Sequence, residues 1–285
     1  MQYLTPASFD DAVKLASQAS GVTRFLAGGT DVLVQMRSDI VTPDTLIDIK
    51  KIPGVSDIIR RADGGWDIGV AVTGAEMSEH PDLPRDWPGV VEAMDLIGST
   101  QVQGRATLTG NLCNASPAAD SVPAMIAAGV TATVQGPDGT RTVAAQDIPA
   151  APGKTTLAPG EMLTALHLPA RGTGGGDAYL RFIPRTEMDI AVVGCGVNLV
   201  VEGDTITWAR VALGAVAPTA RLVPDAAEAL IGSALDDAAL ARLDAAARAA
   251  CNPISDKRGT IEFRTKIAGV LAKRAARIAY DRARG

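Results

Sequence analysis

Histidine, cysteine and aromatic residues are scarce in this sequence of 285 residues. It contains two histidines and three cysteines, and aromatic side chains make up 4% of the chain. The cysteines Cys113, Cys195 and Cys251 lie far apart, and none belongs to a CxxC pair. A zinc or iron–sulfur site needs about four clustered ligands, and Ser-His-Asp or Cys-His catalysis needs a suitably placed histidine. We therefore expect no metal site, three cysteines that act as small buried apolar residues, and structural roles for His80 and His167.

Long apolar runs and a strong net charge are also lacking. No stretch approaches the roughly 18 consecutive apolar residues of a membrane span, and the first ten residues have neither part of a secretion signal. The 27 basic and 32 acidic residues give a net charge of −5, which offers no attraction to nucleic acid or to an anionic membrane. We expect a cytoplasmic protein that binds neither, with a 47% hydrophobic content that suffices for packed cores. Any redox chemistry would need a bound cofactor.

The first part of the chain has a pattern typical of an α/β unit. Ser8 is a candidate N-cap for a helix that ends near Gly21. Residues 23–37 then predict a strand, a glycine loop and a short helix, an order that is known for binding anions. A second strand is expected at 46–49, before the break at Pro53-Gly54. We place the end of this unit at residue 55.

Residues 56–172 predict a second unit with antiparallel strands. Two strands flank a turn at 63–65, a hairpin surrounds 136–139, and a last strand covers 161–168. A helix is expected at 88–97, and the stretch 98–123 is expected to be a functional loop, because it has little periodicity and is rich in small residues.

The glycine-rich stretch 172–176 predicts a flexible linker to a third unit, residues 173–285. A hairpin is expected there, with its turn at 202–204. Three alanine-rich helical stretches follow at 224–231, 237–250 and 256–284. The whole chain is therefore expected to be of the α+β class.

Two short glycine loops could hold a diphosphate. Loop one covers residues 26–31, and loop two covers residues 107–111. Glycine lets backbone N–H groups approach a phosphate, and Thr30, Thr107 and Asn111 could add side-chain donors. Either loop alone could also be an ordinary turn, with Asp31 or Thr107 as a helix cap. Neither matches the Walker A pattern or a dinucleotide-binding GxGxxG, so a Rossmann-type site is not predicted.

Taken together, the two loops resemble a known family. Ala-Gly-Gly-Thr-Asp at 27–31, Thr-Leu-Thr-Gly-Asn at 107–111 and Asn-Ala-Ser-Pro-Ala-Ala-Asp at 114–120 resemble the FAD-binding medium subunit of molybdenum hydroxylases, the flavoprotein of the xanthine dehydrogenase and carbon monoxide dehydrogenase group. Residues 185–193 agree, and residues 255–264 resemble its D-x-R-x-S-x-E-Y-R pattern. These segments occur in the expected order over essentially the whole chain.

The resemblance implies a two-subdomain FAD-binding fold of the vanillyl-alcohol-oxidase-like (PCMH) type. FAD would lie between the subdomains 1–55 and 56–172, and residues 173–285 would form a C-terminal domain with a three-stranded antiparallel sheet and a helical bundle. The two loops would enclose the pyrophosphate and ribityl chain, Ser116 and Asp120 would hydrogen-bond to the cofactor, and Ile190 would face the isoalloxazine ring. The residues that the resemblance assigns to FAD are Leu26, Ala27, Gly28, Gly29, Thr30, Asp31, Val32, Leu33, Ile97, Ala106, Thr107, Gly110, Asn111, Ser116, Asp120, Leu163, Arg181 and Ile190.

One position departs from the family pattern. The second motif usually reads T-x-G-G-N, but here Thr109 replaces the first glycine. A β-branched residue adopts positive φ with difficulty, so either this position has an ordinary φ or the loop is slightly rearranged.

The implied function is electron transfer from the iron–sulfur clusters of a partner, through FAD, to an external acceptor. A small [2Fe–2S] subunit and a large molybdenum-cofactor subunit would be the partners, in a heterotrimer that pairs into a hexamer. Two alternatives are a free-standing flavin-dependent oxidase or reductase and a scaffold subunit without flavin. The low aromatic content after residue 172 disfavours the first, and the largely intact glycine loops disfavour the second. Neither the organic substrate nor the acceptor, among NAD⁺, a quinone, dioxygen and a carrier protein, follows from the sequence.

Overall fold

The computed structural model describes all 285 residues. The first unit is a three-stranded parallel sheet with the strand order β1-β3-β2 and two helices. Ser8 Oγ accepts from Asp11 N at 3.1 Å, which confirms the predicted cap of the first helix. The first strand was not predicted from the sequence, because three residues are too few to show a periodic pattern. The elements of this unit are β1 (Gln2–Leu4), α1 (Phe9–Gln18), β2 (Thr23–Leu26), α2 (Val32–Arg37) and β3 (Thr45–Asp48).

The second unit is built on a five-stranded antiparallel sheet. Its strands and the small hairpin beside it are β4 (Ile58–Arg60), β5 (Trp66–Gly69), β6 (Thr131–Gly136), β7 (Gly139–Ala144), β8 (Pro149–Ala151), β9 (Lys154–Thr155) and β10 (Met162–Leu168). The sheet order is β4-β5-β10-β6-β7, while β8 and β9 pair only with each other. Both predicted hairpins, β4-β5 and β6-β7, are present in antiparallel register.

Six helices lie between β5 and β6. They are α3 (Gly74–Glu79), α4 (Leu83–Asp86), α5 (Pro88–Asp95), α6 (Thr100–Gln103), α7 (Leu108–Cys113) and α8 (Ser121–Ala128). The expectation of a long loop at 98–123 was wrong, because this stretch contains α6, α7 and the start of α8. The first two are too short to show a helical period, and all eight residues of α8 are buried, so no polar face marks it as a helix.

The third unit packs helices against a four-stranded sheet with the order β11-β12-β13-β14. The first three strands are the long ones that were expected, and the fourth is a two-residue addition at the edge. The predicted linker was partly wrong, because β11 already begins at Gly175. The last helix begins at Ile261, five residues later than expected. The elements are β11 (Gly175–Phe182), β12 (Val193–Glu202), β13 (Thr205–Gly214), β14 (Arg221–Leu222), α9 (Pro224–Glu228), α10 (Asp237–Ala249) and α11 (Ile261–Arg284).

Two hydrophobic cores stabilise the chain. A cluster of 40 buried residues lies largely within the first two units, and a cluster of 27 lies in the third. They meet where α8 packs on β12 and β13. A Cβ on Gly196 would lie 2.7 Å from the carbonyl oxygen of Pro123, so glycine is needed for this close approach. No helix of the structure has both the length and the apolar character that a membrane crossing requires.

Candidate functional site

The two glycine loops lie against each other, backbone to backbone. A Cβ built on Gly28 would lie 1.9 Å from the carbonyl oxygen of Arg105, two residues before loop two. A side chain there would therefore push the loops apart. Glycine is required at this position by the neighbouring loop, and not only by the approach of a ligand.

Gly29 is needed for a different reason. Its φ is +79°, in the left-handed region that L-residues rarely adopt. A Cβ at Gly29 would point toward the side chains of Leu26 and Leu33, at 2.9 and 3.2 Å. The glycine therefore sets the turn between β2 and α2 and leaves backbone N–H groups free to face the cleft.

Loop two forms the first turn of α7. Thr107 is its N-cap, and Thr107 Oγ1 accepts from Gly110 N at 2.9 Å. Thr109 lies inside the helix with an ordinary φ, so the departure from the family pattern does not strain the loop. The Oγ1 atom of Thr109 is buried and has no hydrogen-bond partner in the chain. Although Thr109 is one of the residues that line the cleft, its Oγ1 is enclosed by the chain, so this atom is not among the candidate ligand contacts.

The side-chain amide of Asn111 has a fixed orientation. Its Oδ1 accepts from Ser121 Oγ at 2.7 Å and from Ser121 N at 3.3 Å. Both Ser121 groups are donors, so the side-chain oxygen of Asn111 faces α8. Its Nδ2 has no partner in the chain, and Asn111 is one of the residues that line the cleft. A second contact, from Gln35 Nε2 to Asn114 Oδ1 at 3.0 Å, joins α2 to the end of α7.

A cleft of about 1010 Å³ lies between the first two units. Twelve of the eighteen residues assigned to FAD from the sequence line it. These are Ala27, Gly28, Gly29, Thr30, Asp31, Val32, Ile97, Ala106, Thr107, Gly110, Asn111 and Leu163. The volume and the mixture of apolar walls with a few polar groups are typical of a large cofactor site.

The cleft is lined mostly by uncharged groups. Arg24 is the only basic residue on its wall, and the acidic ones are Asp31 and Glu161. Glu161 accepts from Arg141 at 2.9 and 2.7 Å, and this pairing lowers the pKa of its carboxyl. The protein around Asp31 removes part of its hydration and raises the pKa of its carboxyl. A diphosphate would therefore be held mainly by backbone N–H groups and neutral side-chain donors.

Six residues assigned to FAD from the sequence lie outside the cleft wall. Leu26 is buried under loop one, whereas Leu33 is exposed on α2. Ser116 accepts locally from Ala118 N at 3.3 Å. Asp120 and Arg181 lie where the second unit meets the third, and Ile190, which completes the set, lies in the third unit.

Asp120 and Arg181 form a buried ion pair. Arg181 Nη1 donates to Asp120 at 2.7 Å, and Tyr179 Oη donates to the other carboxylate oxygen at 2.8 Å. Burial is the largest influence on this carboxyl and raises its pKa to about 6, against the opposing effect of Arg181. Both side chains are thus engaged with each other, and their contacts connect the start of α8 with β11.

Ile190 is about half exposed, in a loop between β11 and β12. The neighbouring Asp189 accepts from Arg258 Nε at 2.9 Å and from Ile190 N at 2.9 Å, and the first of these contacts lowers the pKa of its carboxyl. Met188 adopts a φ of +54° in the same loop. Asp189 is therefore a positioning residue for this loop.

One wall of the cleft was missed by the sequence analysis. Residues 157–162, before and at the start of β10, lie opposite loop one. Phe25, Ile49, Thr109 and Asn114 were missed as well. This wall carries no glycine motif and no unusual spacing, so only the pairing of β10 with β6 brings it to the cleft.

The two halves of the chain match two family models. Residues 1–171 match the FAD binding domain in molybdopterin dehydrogenase, and residues 178–279 match the CO dehydrogenase flavoprotein C-terminal domain. Among curated relatives, the carbon monoxide dehydrogenase medium chain of Afipia carboxidovorans is 34% identical, with 99% of this chain and 97% of the relative covered. The xanthine dehydrogenase FAD-binding subunit of Escherichia coli is 28% identical, with 95% and 93% covered.

Solved structures give the same result. A chain of the reconstituted CO dehydrogenase from Oligotropha carboxidovorans superposes with a TM-score of 0.95 at 34% identity, with 99% of this chain and 98% of that chain covered. A chain of quinoline 2-oxidoreductase from Pseudomonas putida superposes with a TM-score of 0.91 at 25% identity, with the same coverage. The resemblance seen in the glycine loops is confirmed, and so is the expected fold. This chain belongs to the family of FAD-binding domains of molybdopterin dehydrogenases and carries the C-terminal domain of CO dehydrogenase flavoproteins.

Proposed function

We propose that the chain is the FAD-containing electron-transfer subunit of a multi-subunit molybdenum hydroxylase. Bound FAD would accept electrons that arrive singly from partner iron–sulfur clusters and would release them to an external acceptor. The observation that carries this proposal is the cleft between the first two units, which is lined by the two glycine loops and by Asn111 with its unpaired Nδ2 and has a volume suited to a dinucleotide. The family membership supports the same cofactor.

The chain's own residues would bind and orient the cofactor. The backbone N–H groups of loop one and of the first turn of α7 supply donors for the pyrophosphate, as at other helix starts. Asn111 Nδ2 adds a neutral side-chain donor. Ile97 and Leu163 line the same cleft with apolar surface and exclude water from it. The twelve cleft residues are our proposed contacts.

The six remaining residues are proposed as a second group of cofactor neighbours. Leu26 and Leu33 hold loop one and α2, and Ser116 and Asp120 precede α8. Arg181 is held through Asp120. Ile190 is proposed to face the isoalloxazine ring from the third unit and to control access of the acceptor.

We also propose the division of the chain at residues 55 and 172. The parallel sheet lies entirely before the first boundary, and the third sheet begins shortly after the second. We propose the cytoplasm as the place of action, and the three free cysteines fit a reducing compartment.

The proposed partners are a small [2Fe–2S] subunit and a large molybdenum-cofactor subunit, in a heterotrimer that pairs into a hexamer. The relatives described as medium chains or FAD-binding subunits support an assembly of this kind. Electron transfer to this flavin needs a cluster close by, and a docking surface of about 1,000 Å² or more would be required to hold it there.

Purification from the native source tests this proposal. We expect a yellow complex in which a cluster-bearing and a molybdenum-bearing polypeptide accompany the chain in constant ratio. Recovery of the flavoprotein without either polypeptide, at low as well as at high salt, would favour a free-standing flavin enzyme. A colourless chain without flavin bands would favour a scaffold subunit.

A further inference from the structure

A second cavity shares no lining residue with the cleft at the glycine loops and has no role in the proposed electron transfer. It has a volume of about 320 Å³ and lies among the connection to the third unit, the end of α8 and the β12-β13 hairpin. We call it the linker cavity and define it by Trp87, Arg171, Asn198, Trp208 and Arg210. Its volume is at the lower end of the range of about 300–1,000 Å³ that is typical of ligand pockets.

The linker cavity has an excess of positive charge. Arg171 and Arg210 line it, and no aspartate or glutamate does. Arg171 pairs with the buried Asp177 at 2.7 Å, but Arg210 has no carboxylate within ion-pair distance. The contacts of Arg210 are the carbonyl oxygen of Ile126 at 3.0 and 3.1 Å and the side chain of Gln146 at 3.4 Å. The guanidinium of Arg210 therefore has no carboxylate counterion in the chain.

Arg210 keeps free hydrogen-bonding capacity. Its known contacts use Nε and Nη2, which leaves both hydrogens of Nη1 without a partner in the chain. Burial lowers the pKa of this guanidinium, and no acidic neighbour opposes that effect. A partly buried cation without a counterion is unfavourable, so an anion that enters the cavity would gain a charge-assisted hydrogen bond.

Two tryptophans line the same cavity as Arg210. The guanidinium of Arg171 stacks on the ring of Trp87, with 4.0 Å between Cζ and the ring centroid. Trp208 is 42% exposed and lines the same cavity from β13, next to Val200 on β12. Indole faces and stacked guanidinium groups are favourable partners for a planar ring.

From this combination we propose that the linker cavity binds a small aromatic or heteroaromatic carboxylate. The carboxylate would accept from Arg210 Nη1, and the ring would lie against Trp208. Asn198 Nδ2 donates to the carbonyl oxygen of Ala127 at 3.3 Å, so its Oδ1 is available for a polar substituent on the ring. The site is separate from the FAD cleft and shares none of its lining residues.

Calorimetric titration of the FAD-loaded full-length chain with benzoate tests the proposal. Benzamide has the same shape without the charge, and inorganic phosphate has the charge without the ring. We expect saturable benzoate binding, with benzamide and phosphate each weaker by at least about tenfold because each lacks one of the two contacts. Equal binding of benzamide, equal binding of phosphate or no saturable benzoate binding would each overturn the proposal.

Two variants locate the site. Arg210→Gln and Trp208→Ala should each weaken benzoate binding by about tenfold or more, because they remove the cation and the apolar wall. Arg221→Gln is the matched control, since Arg221 also donates to a carbonyl oxygen at a helix end, that of Ala250, but lies outside the cavity. Should Arg210→Gln fail to fold, the exposed Trp208→Ala variant still decides. Unchanged affinity in Trp208→Ala would place the benzoate elsewhere and refute the assignment.

Discussion

At the residue scale, loop one contains two adjacent glycines with different tasks. Gly28 permits the close contact with the backbone of Arg105, just before loop two, whereas Gly29 adopts the left-handed backbone of the turn between β2 and α2. Glycine is therefore required at Gly28 for steric reasons and at Gly29 for its backbone conformation. The steric requirement at Gly28 can be tested, because Gly172 is a glycine at which a Cβ would meet nothing.

Gly28→Ala should separate the two glycine loops and weaken FAD binding by at least about tenfold, through the loss of one or two donor contacts. Gly172→Ala is the control, because a Cβ there meets nothing within 4 Å. Retention of FAD can be followed by absorbance after extensive dilution. Equal retention in the two variants would show that contact between the loops is not needed for the cofactor.

Asn111 supplies a neutral donor to the cleft because Ser121 holds its oxygen on the other side. Asn111→Asp keeps the shape, replaces this donor by a negatively charged oxygen and should repel a pyrophosphate. We expect FAD affinity to fall by about tenfold to a hundredfold, the equivalent of roughly 1–3 kcal/mol. Asn252→Asp, at an exposed position outside the cleft, should leave affinity unchanged. Fluorescence titration of the apoprotein with FAD measures both, and a tight Asn111→Asp complex would contradict the assigned contact.

At the element scale, the start of α11 explains the motif that resembles the family's C-terminal pattern. Arg264 is buried, and its Nη1 donates to the carbonyl oxygens of Val192 and Ala215 at 2.7 and 3.4 Å. Its Nη2 donates to Asp256 at 2.7 Å. The motif residues Asp256 and Arg264 therefore bind each other and fasten α11 to the third sheet. Their role here is structural.

Arg264→Leu should lower the free energy of unfolding by roughly 3 kcal/mol, because it leaves buried carbonyl oxygens and Asp256 without their partner. Arg274→Leu removes an exposed arginine of the same helix that forms no ion pair, and it should change stability by less than about 0.5 kcal/mol. Urea denaturation followed by circular dichroism compares them. Similar losses in both variants would show that the buried contacts contribute little.

The elements differ in how well the sequence predicts them. The Gly-Pro-Asp-Gly turn at 136–139 and the Ser8 cap encode their structures locally, and both were predicted. By contrast, α8 is encoded by its environment, since a helix enclosed on all sides shows no amphipathic pattern. The same limit applies to the site. The glycine loops could be identified from the sequence. The wall at 157–162 could not, because it depends on strand pairing between distant segments.

At the scale of the whole molecule, the Asp120–Arg181 pair connects the second unit to the third. Burial keeps the pKa of Asp120 at about 6, above the value of about 3.9 for an unfolded chain. The folded state therefore holds this proton to a higher pH than the unfolded state does. The stability contributed by protonation is complete below about pH 4 and is lost as the pH rises through about 6.

The pH dependence of stability in wild-type protein and Asp120→Asn, both stripped of FAD, tests this coupling. The difference in free energy of unfolding, wild type minus variant, should fall by about 1–3 kcal/mol between pH 4 and pH 7, because only the wild type has the titrating carboxyl. Chemical denaturation at closely spaced pH values measures the difference. A difference that grows with pH would mean that Arg181 outweighs burial and that the carboxylate is the favoured form.

The chain separated from any partner should retain its flavin chemistry but not substrate hydroxylation. Its cleft and its family membership indicate a flavoprotein, while no group of three or more histidine, cysteine or acidic side chains in it could hold a metal ion. In the proposed function, hydroxylation of an organic substrate takes place on the molybdenum-bearing partner. Purified alone and loaded with FAD, the chain should be yellow, should be reduced by an artificial electron donor and should be reoxidised by an acceptor. Assayed against purines, aldehydes and N-heterocycles, it should give no turnover above the background of free FAD. Robust oxidation of any of these compounds by the single chain would refute the subunit assignment and establish a free-standing flavin oxidase, because the electrons would then enter the flavin directly from the substrate.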